Sequence, residues 1–464
     1  MSEADNSDRL RRVLGFWPAF SLVIGTIIGS GIFLVSNDMI RAVGSPGMVF
    51  FIWIFGGILS LLGALSYGEL SAAMPEAGGE YVYLSAAYGP LLGFLQGWAN
   101  ALVMFPASVA AKGAGFITFL AVFFPNLNRI LLSIPLPIGP GGGPLDIHYG
   151  QLVGIGVIVF LLGVNYIGVR AGGRVQVFTT ALKMGLIAAI IFAGIFWGKG
   201  DSAHFQSVIP ATPGGVAGFF TALVAALWAY DGWNNAASIG ADVERPGRNL
   251  PLVMILGTGA VICVYLLINA AYFWVLSPAE IAQNPRVAAE MMQRVLGVSG
   301  ASVVSLAAMI SIFASMNGSF LAGTRPGYAM ARDGVFFQSI GRLHPRFHTP
   351  NASLVLLAVL SCILLLSGRF EDLYRTVVFT SWVFYALTAL SVLILRRKKP
   401  DMDRPYRVHG YPVVPVLFVL VAAGLLYSTL LTYPRESGIG LGMILAGLPF
   451  YFHWKRHPRP SARK

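Results

Sequence analysis

Long apolar runs separated by short polar segments dominate the chain. Twelve of them are long enough to cross about 30 Å of hydrocarbon as helices. They lie at residues 16–36, 47–73, 91–125, 149–167, 176–197, 216–238, 251–275, 300–325, 352–367, 374–395, 412–432 and 438–454. The pattern predicts an all-α polytopic membrane protein with twelve transmembrane helices, numbered here as spans 1 to 12.

Composition supports this interpretation and excludes a soluble fold. The chain has 464 residues, of which 56% are hydrophobic and only 11% are charged, whereas soluble domains carry about 25% charged residues. The polar start MSEADNSDRLRR does not resemble a cleavable signal peptide. The two cysteines, Cys263 and Cys362, lie in apolar runs. We therefore expect no disulfide framework, no metal site and no cofactor.

The positive charges predict the orientation of the spans. With both termini placed in the cytoplasm, 21 of the 32 Lys and Arg residues fall in inner segments and seven in outer segments. This asymmetry is the one that cytoplasmic loops show in membrane proteins. It explains the net charge of +12 without nucleic acid as a partner.

Span 1 contains three glycines near its middle, and glycine weakens a helix. It contains the stretch VIGTIIGSGIFLV, residues 23–35, with Gly25, Gly29 and Gly31. One interpretation is close packing of two helices at the small residues Gly25 and Gly29. The other is a discontinuous helix, whose free N–H groups suit a carboxylate and whose free C=O groups suit an ammonium or a small cation.

Span 6 is interrupted in a similar way and favours the second interpretation. It reads ALWAYDGWNNAASIG, residues 226–240, with Asp231, Gly232 and Asn234 near its middle. Matching interruptions in two halves of a transporter point to its binding site. Because spans 1 and 6 are five apart, two five-span repeats would have opposite orientations, with spans 11 and 12 added.

This topology predicts seven segments along the chain. They are a cytoplasmic N-terminal segment (1–15), a first five-helix repeat (16–197), an extracellular linker (198–215), a second, inverted repeat (216–395), a basic cytoplasmic loop (396–411), helices 11 and 12 (412–454) and a basic cytoplasmic tail (455–464).

Several motifs resemble those of one transporter superfamily. GTIIGSGIF in span 1 looks like the glycine motif of amino acid–polyamine–organocation (APC) transporters, most of all the L-type amino acid transporter branch. Further similar stretches, in the same order, are YGELSAAMPEAGGEYVYLSAAYGPLLGFLQGW (67–98), WAYDGWNNAASIGADVERPGRNLP (228–251), MNGSFLAGTRPGYAMARDG (316–334) and RPYRVHGYPVVPVLF (404–418). The resemblance implies the fold of the leucine transporter, a five-plus-five inverted repeat with spans 1 and 6 discontinuous.

The resemblance also implies a substrate site. The substrate carboxylate would meet the amides of Gly29, Ser30 and Gly31. The substrate amine would meet carbonyls of spans 1 and 6, namely those of Ile27, Trp228, Ala229 and Asp231. The aromatic side chain of Trp228 would close over the substrate, and Asn234 would place a polar side chain nearby.

Lys183 lies about 10 Å inside span 5. Its ammonium can snorkel back toward the headgroups, or it can be a fixed internal cation that bonds carbonyls of span 1 near Gly25. In sodium-independent members of the similar family, a lysine of span 5 stands where sodium-coupled relatives bind sodium. On this resemblance Lys183 argues against sodium coupling.

Asp231, Lys112 and the glutamates leave alternatives open. Asp231 can pair with a cationic substrate, bond the interrupted backbone or another internal partner, or carry a proton. Lys112 in span 3 can pair with an acid such as Asp231 or snorkel. Glu69, Glu76 and Glu80 are expected to be solvated or gate-forming charges rather than substrate ligands.

These features predict a sodium-independent secondary transporter of L-amino acids, working by exchange or by proton-coupled uptake. Neutral amino acids are the expected substrates, and Asp231 makes cationic ones possible; a polyamine or organic-cation carrier of the same fold is the alternative. The outer loop at 126–148 contains no cysteine, so no disulfide-linked heavy chain is expected. No enzyme motif stands out. The expected location is the plasma membrane, which in a prokaryote is the inner membrane.

Overall fold

Helices make up almost all of the regular structure in this computed structural model, which describes Leu10 and residues 12–135, 144–367 and 370–457. The helices of the first half are α1 (Phe16–Ile27), α2 (Gly31–Val43), α3 (Pro46–Ala73), α4 (Glu80–Tyr88), α5 (Pro90–Ala99), α6 (Phe105–Leu120), α7 (Tyr149–Ile167) and α8 (Val169–Phe196). A π-helical turn, Asn100–Met104, joins α5 to α6.

The second half continues the pattern. Its helices are α9 (Gly215–Tyr230), α10 (Asn235–Ser238), α11 (Pro246–Val275), α12 (Pro278–Gln283), α13 (Val287–Leu296), α14 (Val298–Gly323), α15 (Arg325–Arg332), α16 (Asn351–Ser367), α17 (Phe370–Lys398), α18 (Val413–Thr432), α19 (Pro434–Leu445) and α20 (Gly447–Arg456). Single turns of 3-10 helix occur at Pro125–Asn128, Ser202–Phe205, Gly240–Asp242 and Gln338–Gly341.

The architecture is that of an all-α polytopic membrane protein. Within the described residues, nine helical segments are long and apolar enough to cross a membrane, one of them α1 and α2 taken together. Two further apolar helices, α9 and α16, are shorter than the others. α9 is short because the sixth predicted span is interrupted after Tyr230.

Both predicted interruptions are present. α1 ends at Ile27 and α2 begins at Gly31, so residues 28–30 leave the helix. α9 ends at Tyr230, and a turn leads to the short helix α10. Gly232 in this turn has φ +109°, a left-handed conformation that favours glycine.

The two interruptions touch each other. A Cβ atom at Gly31 would lie 2.7 Å from Cα of Ala229, which is closer than real Cβ contacts. Thr26 Oγ1 also lies 3.2 Å from the carbonyl oxygen of Gly232. Glycine at position 31 therefore lets the two interrupted backbones approach.

Some local elements differ from the expectation. The loop at 126–148 contains a two-stranded antiparallel hairpin, β1 (Ile130–Ile134) and β2 (Leu145–His148), and span 12 is divided between α19 and α20. Strands of four or five residues give too little alternation to be recognised in a loop rich in proline and glycine. The N-terminal residues 1–9 and the tail residues 458–464 lie outside the described part of the chain.

One end of the helix bundle is predicted to be cytoplasmic. It is sealed by β-bridges between distant segments and by ion pairs of buried side chains. Leu14 forms a parallel bridge with Val243, and Ala77 forms an antiparallel bridge with Ile239.

Two buried carboxylates with arginine partners lie at the same end. Arg325 Nε is 3.1 Å from Asp242 Oδ2, with both side chains buried. Glu69 is also buried and bonds Arg396, with Nη2 and Oε2 2.6 Å apart, and Arg404, with Nε and Oε1 3.4 Å apart. Glu69, one of the acids expected to be solvated or gate-forming, is therefore buried and ion-paired rather than solvated.

We predict that Asp242→Asn destabilises the protein, because it leaves the Arg325 guanidinium buried without its counter-charge. Breaking a buried pair on one side costs about 3–5 kcal/mol. Thermal unfolding of the detergent-purified protein should show a clear decrease in melting temperature. The double variant Asp242→Asn/Arg325→Met removes both charges and should recover most of the loss. A single variant as stable as the parent protein would contradict the structural role of the pair.

Candidate substrate-binding site

The two interruptions border a very small cavity of about 10 Å³, which has room for about one water molecule. Its lining combines backbone from α1 and α2 with side chains of α6 and α9, namely Thr26, Ile27, Gly29, Ser30, Gly31, Lys112, Trp228 and Asp231. Six of the eight predicted substrate residues therefore meet at one cavity. Ala229 lies behind Gly31, and Asn234 is not part of the lining.

The start of α2 forms one wall of the cavity. Ser30 is the N-cap residue of this 13-residue helix. Its hydroxyl is buried and has no hydrogen-bond partner among the described residues. Free N–H groups and partial positive charge at a helix N-terminus attract anions. This wall therefore suits a carboxylate.

The carbonyl groups at the interruptions already have partners. The Tyr265 hydroxyl of α11 lies 3.1 Å from the carbonyl oxygen of Ile27 and 2.7 Å from that of Ala229. Both carbonyls belong to the set predicted to meet the substrate amine. A carbonyl oxygen has two lone pairs, so each can accept a second hydrogen bond.

Lys183 bonds the interrupted backbone of span 1 directly. Its ammonium donates to the carbonyl oxygens of Gly25 at 2.8 Å and Ile28 at 2.6 Å. The side chain has no exposed surface, so it does not snorkel in this conformation. Lys183 is a positive charge held at the end of α1.

Two serines of α14 satisfy further carbonyls of the same interruption. Ser311 Oγ donates to Ile28 at 2.9 Å, and Ser315 Oγ donates to Thr26 at 2.7 Å. With Lys183 and Tyr265, they provide the donors that residues 26–28 lose when the helix stops. Backbone groups at membrane depth need such partners.

Asp231 and Asn234 face a shared tyrosine. The Tyr385 hydroxyl of α17 donates to Asp231 Oδ1 at 2.8 Å and lies 3.3 Å from Asn234 Oδ1. The amide nitrogen of Asn234 donates to Glu80 Oε1 at 2.5 Å. Asn234 therefore points away from the cavity and toward the loop helix α4.

Glu80, which the sequence predicts to be a solvated or gate-forming charge, is a buried carboxylate. It accepts hydrogen bonds from Tyr67 at 3.0 Å, Gln96 at 2.5 Å and Asn234. It lies at the start of α4, between two candidate spans. Burial disfavours its charged form and raises the pKa of Glu80 to about 7. It links the loop to the interrupted sixth span.

Lys112 of α6 also reaches the cavity. Its ammonium donates to Ser319 Oγ at 2.7 Å, and the side chain is buried. Neither snorkelling nor a direct ion pair describes this position, because no carboxylate among the described residues lies within 4.0 Å of it.

The sequence does not predict four residues of other helices that form hydrogen bonds with the interrupted segments. They are Tyr265, Ser311, Ser315 and Tyr385. Each is a polar residue within a long apolar run, which is the one available signal. Many such residues instead bond their own helix, as Thr258 does with Met254 at 2.7 Å, so the signal does not select the four.

A helical membrane protein with two interrupted helices around a small polar cavity has the form of a carrier for small solutes. The chain matches the amino acid permease family over residues 14–452. It therefore belongs to this family, which is part of the APC superfamily.

Its relatives are amino acid transporters. The chain is 33% identical to the serine/threonine exchanger SteT of Bacillus subtilis, over 98% of this chain and 99% of that one. It is 31% identical to the b(0,+)-type amino acid transporter 1 of Mus musculus, over 96% and 88% of the two chains. It is 31% identical to the human cystine/glutamate transporter, over 97% and 87%. The family and its relatives are transporters rather than enzymes.

We predict that Gly31→Ala strongly impairs transport, since its new methyl group would overlap the backbone of Ala229. Overpacking costs about 1–3 kcal/mol, so initial uptake should fall by about tenfold or more. Gly259→Ala in α11 is the matched control, because a Cβ atom there meets nothing within 4 Å. Equal uptake by the two variants in liposomes would show that the interrupted backbones need no close contact.

We also predict that Glu80 gives stability a pH dependence. Its pKa of about 7 lies above the ordinary value of 4.5, so the folded protein binds the proton more tightly than the unfolded chain. Stability should therefore fall as the pH rises from about 4.5 to about 7, by up to about 3 kcal/mol. Melting temperatures measured across this range should show a weaker fall for Glu80→Gln. Parallel curves for the two proteins would be the contrary result.

Proposed function

We propose that the protein is a sodium-independent exchanger of L-amino acids, chiefly neutral ones, across the plasma membrane. It uses alternating access in the fold of the leucine transporter, with twelve spans, two inverted five-helix repeats and both termini in the cytoplasm. In a prokaryotic cell this membrane is the inner membrane. The alternative carrier of polyamines lacks a specific observation in its favour, since such substrates have no carboxylate for the start of α2.

The observation that carries sodium independence is the position of Lys183. Its ammonium donates to Gly25 and Ile28, two carbonyls that the interruption of span 1 leaves without helical partners. A protein-bound cation at this place supplies the charge that a dissolved cation would otherwise bring. We therefore propose that Lys183, with Gly25, replaces a coupling ion.

Substrate binding follows from the two ends of the interruption. The carboxylate binds the amides of Gly29, Ser30 and Gly31, where α2 begins. The amine binds near the carbonyls of Ile27 and the residues from Trp228 to Asp231, and Trp228 covers the substrate. The hydrogen bond from Tyr385 to Asp231 supports an internal partner for this acid rather than direct pairing with a cationic substrate.

The relatives support exchange in particular. SteT is named as a serine/threonine exchanger, and the alignment covers 99% of its length. We therefore propose serine, threonine and alanine as the first substrates to test. The absence of cysteine from residues 126–148 supports function without a disulfide-linked heavy chain.

Liposomes containing the purified protein test this proposal. We expect uptake of labelled L-serine or L-alanine when the liposomes contain unlabelled amino acid, and little uptake when they are empty. Replacing external sodium by choline should leave the rate unchanged, because Lys183 provides the internal positive charge. Lys183→Gln is the matched variant, and its exchange should fall toward the level of empty liposomes.

Two results would count against the proposal. Uptake into empty liposomes driven by a proton gradient would replace exchange by proton coupling through Lys183 or Asp231. Transport of a polyamine such as putrescine without any amino acid uptake would favour the alternative carrier.

A further inference from the structure

The cavity at the interruptions has walls of opposite charge. Lys112 enters from α6, and Asp231 enters from the turn after α9; both line the same small space. No ion pair within 4.0 Å joins them among the described residues. In this conformation the space of about 10 Å³ holds about one water molecule, so a substrate side chain would meet the two charges once the cavity widens.

Each charge is held by a neutral hydroxyl group. Ser319 accepts a hydrogen bond from the Lys112 ammonium at 2.7 Å, and Tyr385 donates one to Asp231 Oδ1 at 2.8 Å. These contacts fix the positions of the charges without cancelling them. Ionised groups in a low-dielectric cavity act strongly on any charge that enters it.

Lys183 is not the residue that supplies positive charge to the cavity. Its ammonium is bound to the carbonyls of Gly25 and Ile28, and it is absent from the cavity lining. The positive charge that a substrate side chain meets is therefore that of Lys112. Without it, Asp231 would be the only ionised side chain of the lining and would attract cationic substrates.

We propose that Lys112 and Asp231 form a charge filter that restricts the transporter to amino acids with uncharged side chains. This inference rests on the proposed amino acid transport and names its substrate class. Lys112 offsets the attraction of Asp231 for cationic side chains, and Asp231 offsets the attraction of Lys112 for acidic ones. A charged side chain therefore gains no net attraction to repay its desolvation, whereas a neutral side chain does not pay this cost. Removing either charge would leave the other to attract side chains of opposite sign.

The test uses four single variants and one double variant in liposomes loaded with alanine, and it measures uptake of labelled alanine, arginine and glutamate. Lys112→Met should raise the arginine-to-alanine uptake ratio by about tenfold or more, because like-charge contacts cost several kcal/mol. Asp231→Asn should raise the glutamate-to-alanine ratio instead. The double variant Lys112→Met/Asp231→Asn should return both ratios toward those of the parent protein.

Two controls separate charge from shape. Lys112→Arg keeps the positive charge and should keep the low arginine ratio. Ser319→Ala removes the hydrogen bond to Lys112 but not the charge, so its ratios should also stay low. If Lys112→Met folds as a monodisperse protein but transports too slowly, the same preference should appear as greater thermal stabilisation by arginine than by alanine.

The outcomes distinguish this inference from the proposed function. Suppose that the parent protein exchanges alanine but that Lys112→Met lowers the uptake of all three substrates equally or leaves both uptake ratios unchanged. The charge filter is then wrong, while amino acid exchange stands. If the parent protein transports no amino acid at all, the proposed function is wrong, and the filter falls with it.

Discussion

The structure depends on how two interrupted backbones find hydrogen-bond partners at membrane depth. Where α1 stops, the carbonyls of residues 25–28 lose their helical donors. An ammonium from α8, two hydroxyls from α14 and the Tyr265 hydroxyl of α11 replace them. The four donors come from three other helices of the bundle. The interruption is therefore possible only in the assembled fold, and it ties three helices to one point.

This dependence explains what the sequence predicts and what it does not. Gly29, Gly31 and Asp231 mark the interruptions because weak helix formers and an acid are conspicuous in apolar runs. The burial of Glu80 is not predicted, because a carboxylate in a loop is ordinarily solvated. Its burial follows from the packing of α4 against other helices, which no local pattern contains. Tyr265 is missed for the same reason, since a tyrosine in an apolar helix is unremarkable until its partner is known.

The sealed end of the bundle and the cavity share a structural element. The turn after α9 carries Asp231 into the cavity, and a few residues later Ile239 and Asp242 join the closure. Asn234 lies between them and bonds Glu80 of the loop helix. A movement of this segment would therefore change the cavity and the seal together. Such a connection is what alternating access requires of an interrupted helix.

The positive charge of Lys183 is part of the protein chain, and this has an electrical consequence. An ammonium that belongs to the chain stays with the protein when the substrate leaves, whereas a dissolved ion would cross the membrane. Exchange of one neutral zwitterion for another then moves no net charge. The membrane potential, which is worth about 2.3 kcal/mol per charge at 100 mV, does no work on such a cycle. The amino acid concentrations on the two sides alone would set its direction.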